Sequence, residues 1–157
     1  MNWHPHQVTR EFEYALEAYT GAPYACVVTS CTMALLIALS WERLRRGKLR
    51  IGCPKKTYVS VPMTVLQAGH DLYFHDQEWK GGYNLVGTDV YDYARRFTGG
   101  MWIEGQVQAV SFHATKILAL EQGGCLLTGD EEAAHYYRSC RFDGRGAGLS
   151  VAEDTIH

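Results

Sequence analysis

The stretch VQAVSFHATKILALEQGGCLLT, Val107 to Thr128, sets a single lysine, Lys116, between two apolar segments, and its reading decides the fold. Val107, Ala109, Val110 and Phe112 predict a buried strand, Ser111 and Thr115 bracket a turn, and Gly123-Gly124 precedes a second apolar run, Cys125 to Leu127. A lysine just after a buried strand is partly desolvated. Desolvation disfavours the ammonium form and frees an amine able to attack a carbonyl carbon. Most lysines are solvated surface charges, so the weight of Lys116 depends on what the rest of the chain brings to it.

Upstream, Val8 to Tyr19 reads as an amphipathic helix, with Phe12, Ala15, Leu16 and Tyr19 on one face and Thr9, Arg10, Glu13 and Glu17 on another. A short apolar run, Ala25 to Val28, is followed by Thr29-Ser30-Cys31-Thr32 and a long helix from about Met33 to Arg46. A turn of small hydroxyl residues at a helix N-terminus offers unpaired backbone N–H groups to an anion such as phosphate. The same residues are also ordinary N-caps.

Arg50 to Cys53 reads as a second strand, Pro62 to Ala68 as a helix with proline in its first turn, and Asp71 to His75 as a third strand. Past the Gly-rich aromatic loop Gln77 to Asn84, Leu85 to Tyr91 reads as a strand ending in Asp92. That acid is either a functional carboxylate or the N-cap of a helix from Tyr93 to Phe97. A last helix runs from Gly129-Asp130 to about Cys140. Alternating strand and helix predict an α/β fold, a mostly parallel sheet with helices on both faces. Ligands in such sheets collect at the carboxyl ends of strands, where Ser30, Tyr58, Asp92 and Lys116 fall.

Bulk properties narrow the function classes. The 157 residues suffice for one domain with a real core. A net charge of −2 argues against a nucleic-acid or acidic-membrane binder, and the basic cluster Arg43, Arg45, Arg46, Lys48 and Arg50 sits where a helix ends and complements its dipole. Cys26, Cys31, Cys53, Cys125 and Cys140 have no framework spacing and read as reduced thiols of a cytoplasmic protein. His4 and His6 are too isolated for a metal site. The polar N-terminus has no leader pattern, and no apolar run is long enough to span a bilayer.

A phosphate turn, an aromatic, a strand-end acid and a lysine, in that order, are what a pyridoxal phosphate site requires. The segments that carry them resemble the DegT–StrS aminotransferases, fold-type-I pyridoxal phosphate enzymes acting mostly on keto-sugar nucleotides. FEYALEAYTGAPYACVVTSCTMALLIAL, Phe12 to Leu39, is similar to that family's opening helix and SGTxAL phosphate motif. CPKKTYVSVPMTVLQAGHDLYFHD, Cys53 to Asp76, resembles the segment bearing the ring-stacking aromatic. DVYDYARRF, Asp89 to Phe97, resembles EDAAQ, and VSFHATKILALEQGGCLLTGD, Val110 to Asp130, resembles SFxxxK followed by a glycine pair.

The resemblance implies a role for each matching position. Lys116 would be the Schiff-base lysine and proton carrier, Asp92 the partner of the pyridine nitrogen, and Tyr58 the stacking ring. Ser30, Cys31, Thr32 and Ser111 would surround the phosphate. Some family members that act as sugar dehydratases carry histidine at the lysine position, so lysine favours transamination. Cys31 stands where the motif has glycine. Arg95 replaces a glutamine that lies near the cofactor, and it could pair with a phosphate, a substrate carboxylate or Asp92.

The implied protein is a homodimeric aminotransferase taking an amino acid donor and a keto-sugar acceptor. Between Asp76 and Asp89 the family's further strand and helix are replaced by the Trp79 to Tyr83 loop. The expected organisation is a shortened cofactor-binding large domain over 1–144, with 145–157 the start of a missing C-terminal region or a tail. A non-catalytic relative, acting as a cofactor-binding or interaction module, is the alternative. Another fold-type-I chemistry, an aldolase or a desulfurase, fits the lysine but not the SFxxxK and SCTMAL spacing.

Overall fold

The computed structural model describes residues 7–141; the expected tail at 145–157 lies outside them. The elements follow in the order α1 (Gln7–Thr20), β1 (Tyr24–Val28), α2 (Cys31–Arg46), β2 (Arg50–Pro54), α3 (Ser60–Gln67), β3 (Asp71–His75), β4 (Tyr83–Asn84), β5 (Val90–Asp92), β6 (Val107–Ser111), β7 (Gly124–Thr128) and α4 (Glu131–Arg141). Local chemistry sets several boundaries. Ser30 caps α2 by accepting a hydrogen bond from the Met33 amide, Gly47 ends it at φ 76°, and Arg43, Arg45 and Arg46 fill its last turn, where cations complement the dipole. Asp130 caps α4, its Oδ1 accepting from the amides of Glu132 and Ala133.

Five strands form a sheet in the order β1-β7-β6-β5-β4, and β2 and β3 form a parallel pair. Reciprocal bonds between Gly52 and Val86, each 3.0 Å, link the two sheets. The α/β class expected from the sequence holds, but the strands are mixed rather than mostly parallel. β5 and β6 are parallel, whereas β1 with β7, β6 with β7, and β4 with β5 are antiparallel. The reason lies in the connections: the segment between β6 and β7 contains no helix, and without a crossover element the chain returns antiparallel.

Alternate strand residues face two cores, and helices cover both, as expected. Cys26, Val28, Ala109 and Leu126 meet Leu35 and Leu39 of α2, Val61 and Val65 of α3, and Ala133 and Tyr137 of α4. Ala25, Val110, Cys125 and Leu127 face the other way, toward Phe12 and Leu16 of α1 and Met101. This two-sided burial makes each central strand apolar along nearly its whole length.

Three local expectations need correction. The expected strand Leu85 to Tyr91 is mostly a turn: the Leu85 amide bonds the Val90 carbonyl at 2.8 Å, and Gly87 sits at φ 98°. The expected helix from Tyr93 to Phe97 does not form. The Ala94 amide bonds the Asp92 carboxylate and the Arg96 amide bonds the Tyr93 carbonyl, so the chain makes a turn, and so short a segment would not offset the cost of helix nucleation. Glu13, read as part of a polar face, is fully buried because α4 packs over it, bringing Arg138 and Arg141 to its carboxylate.

Candidate active site

The N-terminus of α2, the loop before α3, the end of β5 and the turn after β6 converge on a cavity of about 420 Å³, within the range of small-molecule sites. Ser30, Cys31, Thr32, Tyr58, Asp92, Ser111 and Lys116 all line it. These are seven of the eight residues nominated from the sequence. Arg95, the eighth, instead lines an adjoining cavity that shares Tyr58, Asp92 and Lys116 with the first and adds Lys56, Trp79 and Tyr83.

At one end of the first cavity the α2 helix begins. Thr32 Oγ1 and Ser60 Oγ lie 2.9 Å apart and tie α2 to α3, while Ser111, nearly buried, closes β6. Hydroxyls and helix-terminal N–H groups of this kind suit an anion. Cys31 takes glycine's place in the motif without backbone strain, because it is the first helical residue and is not among the positive-φ residues. Burial, reinforced by the Asp92 charge, pushes its thiol well above the ordinary range, so it stands in the cavity wall as a neutral group.

Lys116 is held by the turn after β6. Its amide bonds the His113 carbonyl at 2.8 Å, and the loop closes through Leu120 to Phe112 (2.9 Å) and Phe112 to Gly123 (2.9 Å). The side chain is half-buried, as expected for a lysine leaving a core strand.

Asp92 ends β5 with only 6% of its surface exposed. Tyr83 donates to its Oδ2 at 2.7 Å and the Ala94 amide to its Oδ1 at 2.9 Å. Burial raises the carboxyl above its ordinary pKa, and these two donors and the Lys116 charge pull it back down. Among the described residues it has no ion-pair partner, and Arg95 does not pair with it. Tyr58 stands over the cavity 73% exposed, an aromatic face without a covering side chain in the fold's own core.

The residues present therefore fit pyridoxal phosphate: hydroxyls and a helix N-terminus for the phosphate, a buried carboxylate for the protonated ring nitrogen, a flat ring for stacking and a primary amine for the carbonyl carbon. Thr57, Ser60 and Tyr83 were not singled out from the sequence. Thr57 and Ser60 flank the nominated Tyr58, so proximity in sequence could have found them. Tyr83 belongs to a loop that read only as a replacement for missing elements.

The sequence profile of the DegT/DnrJ/EryC1/StrS aminotransferase family matches residues 3–85 and 91–154. The interruption falls at the turn between β4 and β5. The spore coat polysaccharide biosynthesis protein SpsC of Bacillus subtilis (strain 168) is 28% identical over 174 residues, covering 82% of this chain and 44% of that protein.

Among solved structures, S. venezuelae DesV superposes with a TM-score of 0.71 at 22% identity, over 90% of this chain and 49% of DesV. A GDP-4-keto-6-deoxymannose-3-dehydratase holding a trapped pyridoxal phosphate–glutamate geminal diamine does so with 0.71 at 18%, over 92% and 50%. The chain spans about half the length of the relatives it matches. Its fold is that of the fold-type-I aminotransferases that depend on pyridoxal phosphate, and the chain belongs to the DegT/DnrJ/EryC1/StrS aminotransferase family.

Proposed function

We propose that the chain carries the cofactor half of a pyridoxal phosphate-dependent aminotransferase that moves an amino group from an amino acid donor to a keto-sugar acceptor. The observation that carries the reading is the convergence of Lys116, Asp92, Tyr58 and the α2 N-terminus on one cavity. When bound, pyridoxal phosphate supplies an electron sink for the bonds of the substrate α-carbon. The protein's own groups do the rest. Lys116 anchors the cofactor through its side-chain amine and, once released, carries the proton to and from the substrate. Asp92 keeps the ring nitrogen protonated, Tyr58 covers one face of the ring, and Ser30, Cys31, Thr32 and Ser111 hold the phosphate.

Arg95, exposed in the adjoining cavity, is assigned to a carboxylate of the substrate, since a guanidinium presents a fork matched to that group. The keto-sugar acceptor rests on the family and on SpsC, a polysaccharide biosynthesis protein. A homodimer is supported by the apolar side chains that Val59, Met63, Leu66 and Phe74 leave exposed around α3. The five free cysteines, three of them buried, agree with a cytoplasmic setting.

The test is covalent trapping. Purified protein incubated with pyridoxal phosphate gains a visible absorption band; borohydride then fixes the cofactor's mass on the peptide containing Lys116, and Lys116→Ala abolishes both signals. Protein that takes up no cofactor, or that traps it on a different lysine, would sink the reading. Trapping without turnover of an amino donor would instead support the non-catalytic module.

A further inference from the structure

The Trp79–Tyr83 loop, which stands where the relatives implied by the sequence carry another strand and helix, has a definite structure. β4 lies antiparallel on β5 with Tyr83 directly opposite Asp92 in the register. Such close pairing needs glycine at the preceding position: a Cβ on Gly82 would lie 2.1 Å from the Tyr93 ring and 2.6 Å from the Asp92 carbonyl oxygen. Trp79 braces the hairpin from outside, its ring 4.8 Å from that of Tyr83 and its Nε1 donating to the Lys56 carbonyl at 2.8 Å.

We infer that Tyr83 is a positioning residue for the cofactor site: its hydroxyl, held by Thr57, orients the Asp92 carboxylate toward the ring nitrogen and keeps it ionised. This rests on the cofactor reading above. The Tyr83 hydroxyl donates its proton to Asp92 Oδ2 at 2.7 Å, so toward its other partner, Thr57 Oγ1, it is the acceptor. Donation from Thr57 polarises the phenol and strengthens what it gives to the carboxylate. Each carboxylate oxygen retains a lone pair after accepting from Tyr83 or Ala94, and Asp92 lines both cavities.

The surroundings keep Tyr83 a donor. Burial and the Asp92 charge push its phenol far above the ordinary range, so it stays protonated at any working pH. Cys31 from α2, Cys53 from β2 and Lys116 from the turn after β6 act on this pair, and Lys56, Tyr58 and Arg95 line the cavity that both residues face. Burial pushes the Cys53 thiol up to about 11 and Cys31 well above its usual value, so both are neutral there. Lys116 supplies the positive charge, and once it is engaged with cofactor or substrate, Tyr83 and the Ala94 amide remain to stabilise the carboxylate.

Two measurements on Tyr83→Phe test the role separately from the cofactor reading. In the apo protein, carboxyl NMR titration of Asp92 is expected to show a higher pKa in the variant than in wild type. In the loaded protein, the pyridoxal phosphate Kd is expected to rise about tenfold at a pH below the variant's Asp92 pKa, the usual worth of a hydrogen bond to a charged group. The ratio of variant to wild-type Kd should shrink as pH rises and Asp92 ionises in both proteins. Thr57→Val, which leaves the phenol in place, should move both readouts the same way by less, and it serves if Tyr83→Phe does not fold. An unchanged Asp92 titration with a pH-independent Kd ratio would reduce Tyr83 to a packing residue. Wild type that binds no cofactor, together with a shifted Asp92 titration, would keep the coupling and remove the cofactor reading.

Discussion

Gly124 lies so close beneath the start of α2 that a Cβ on it would stand 2.5 Å from the Cys31 amide nitrogen and 2.6 Å from the Ser30 carbonyl carbon. The atoms in the way are backbone, which cannot rotate aside. The glycine at the start of β7 therefore sets how far the α2 N-terminus sits from the turn that carries Lys116, and so sets the depth of the anion end of the cavity.

Gly124→Ala is accordingly expected to push α2 outward. The overpacking should cost about 1–3 kcal/mol in denaturant titrations. Cofactor affinity should fall as well, with inorganic phosphate becoming a poorer competitor for the site. An alanine variant with unchanged stability and phosphate competition would show that α2 is not held at this spacing.

On the proposed reading, Asp92 sets stability against function. Its folded-state pKa is raised, so the folded protein holds the proton more tightly than the unfolded chain does. Asp92's own contribution to apo stability is then most favourable below the unfolded carboxylate pKa of about 4 and is lost as pH climbs through the folded value. Asp92→Asn removes the buried charge and keeps an acceptor for Tyr83 or Ala94. The apo variant should melt above wild type at neutral pH, with the gap closing on acidification, while binding pyridoxal phosphate more weakly. Equal melting temperatures at neutral pH would contradict the burial assignment.

Glu13 tests the frame that holds the site. Its carboxylate accepts from the Val27 amide at 2.9 Å and from Arg10 at 3.0 Å; it also pairs with Arg141, and with Arg138 at 3.6 Å. One buried acid thus joins α1, β1 and α4. Glu13→Ala should cost about 3–5 kcal/mol, because it leaves the β1 amide without its acceptor and takes the carboxylate from part-buried Arg138 and Arg141, which keep the carbonyls of Ala25 and Val27. Urea titration gives the measurement, and a loss below about 1 kcal/mol would mean that water replaces the carboxylate.

What could be read from the sequence is what depends on neighbours along the chain. Ser30 before an apolar helix, Gly47 after it, Asp130 before α4 and the apolar runs of β1, β6 and β7 carry their own local reasons, and the structure places these elements within a few residues of expectation. The order of hydroxyl turn, aromatic, acid and lysine was equally legible, since it is order along the chain, and the structure brings the four to one cavity. The exceptions were short elements. Neither the strand expected over Leu85 to Tyr91 nor the helix expected over Tyr93 to Phe97 has enough residues for local preference to prevail over the turns at Gly87 and Asp92.

Tertiary structure decided which side chains meet. Glu13 has the pattern of a solvated helix face and becomes core only because α4 returns over α1 and β1 with its arginines. Tyr83 read as part of a connecting loop and becomes the partner of Asp92 only because β4 folds back antiparallel on β5. Arg95, three residues from Asp92, turns into the neighbouring cavity because the chain there forms a turn instead of a helix. In each case the deciding quantity is burial by a segment remote in sequence or a change in local direction. The pattern of residues determined the elements and the order of the chemistry, and only the packing of those elements decided which polar groups lost their water and had to find one another.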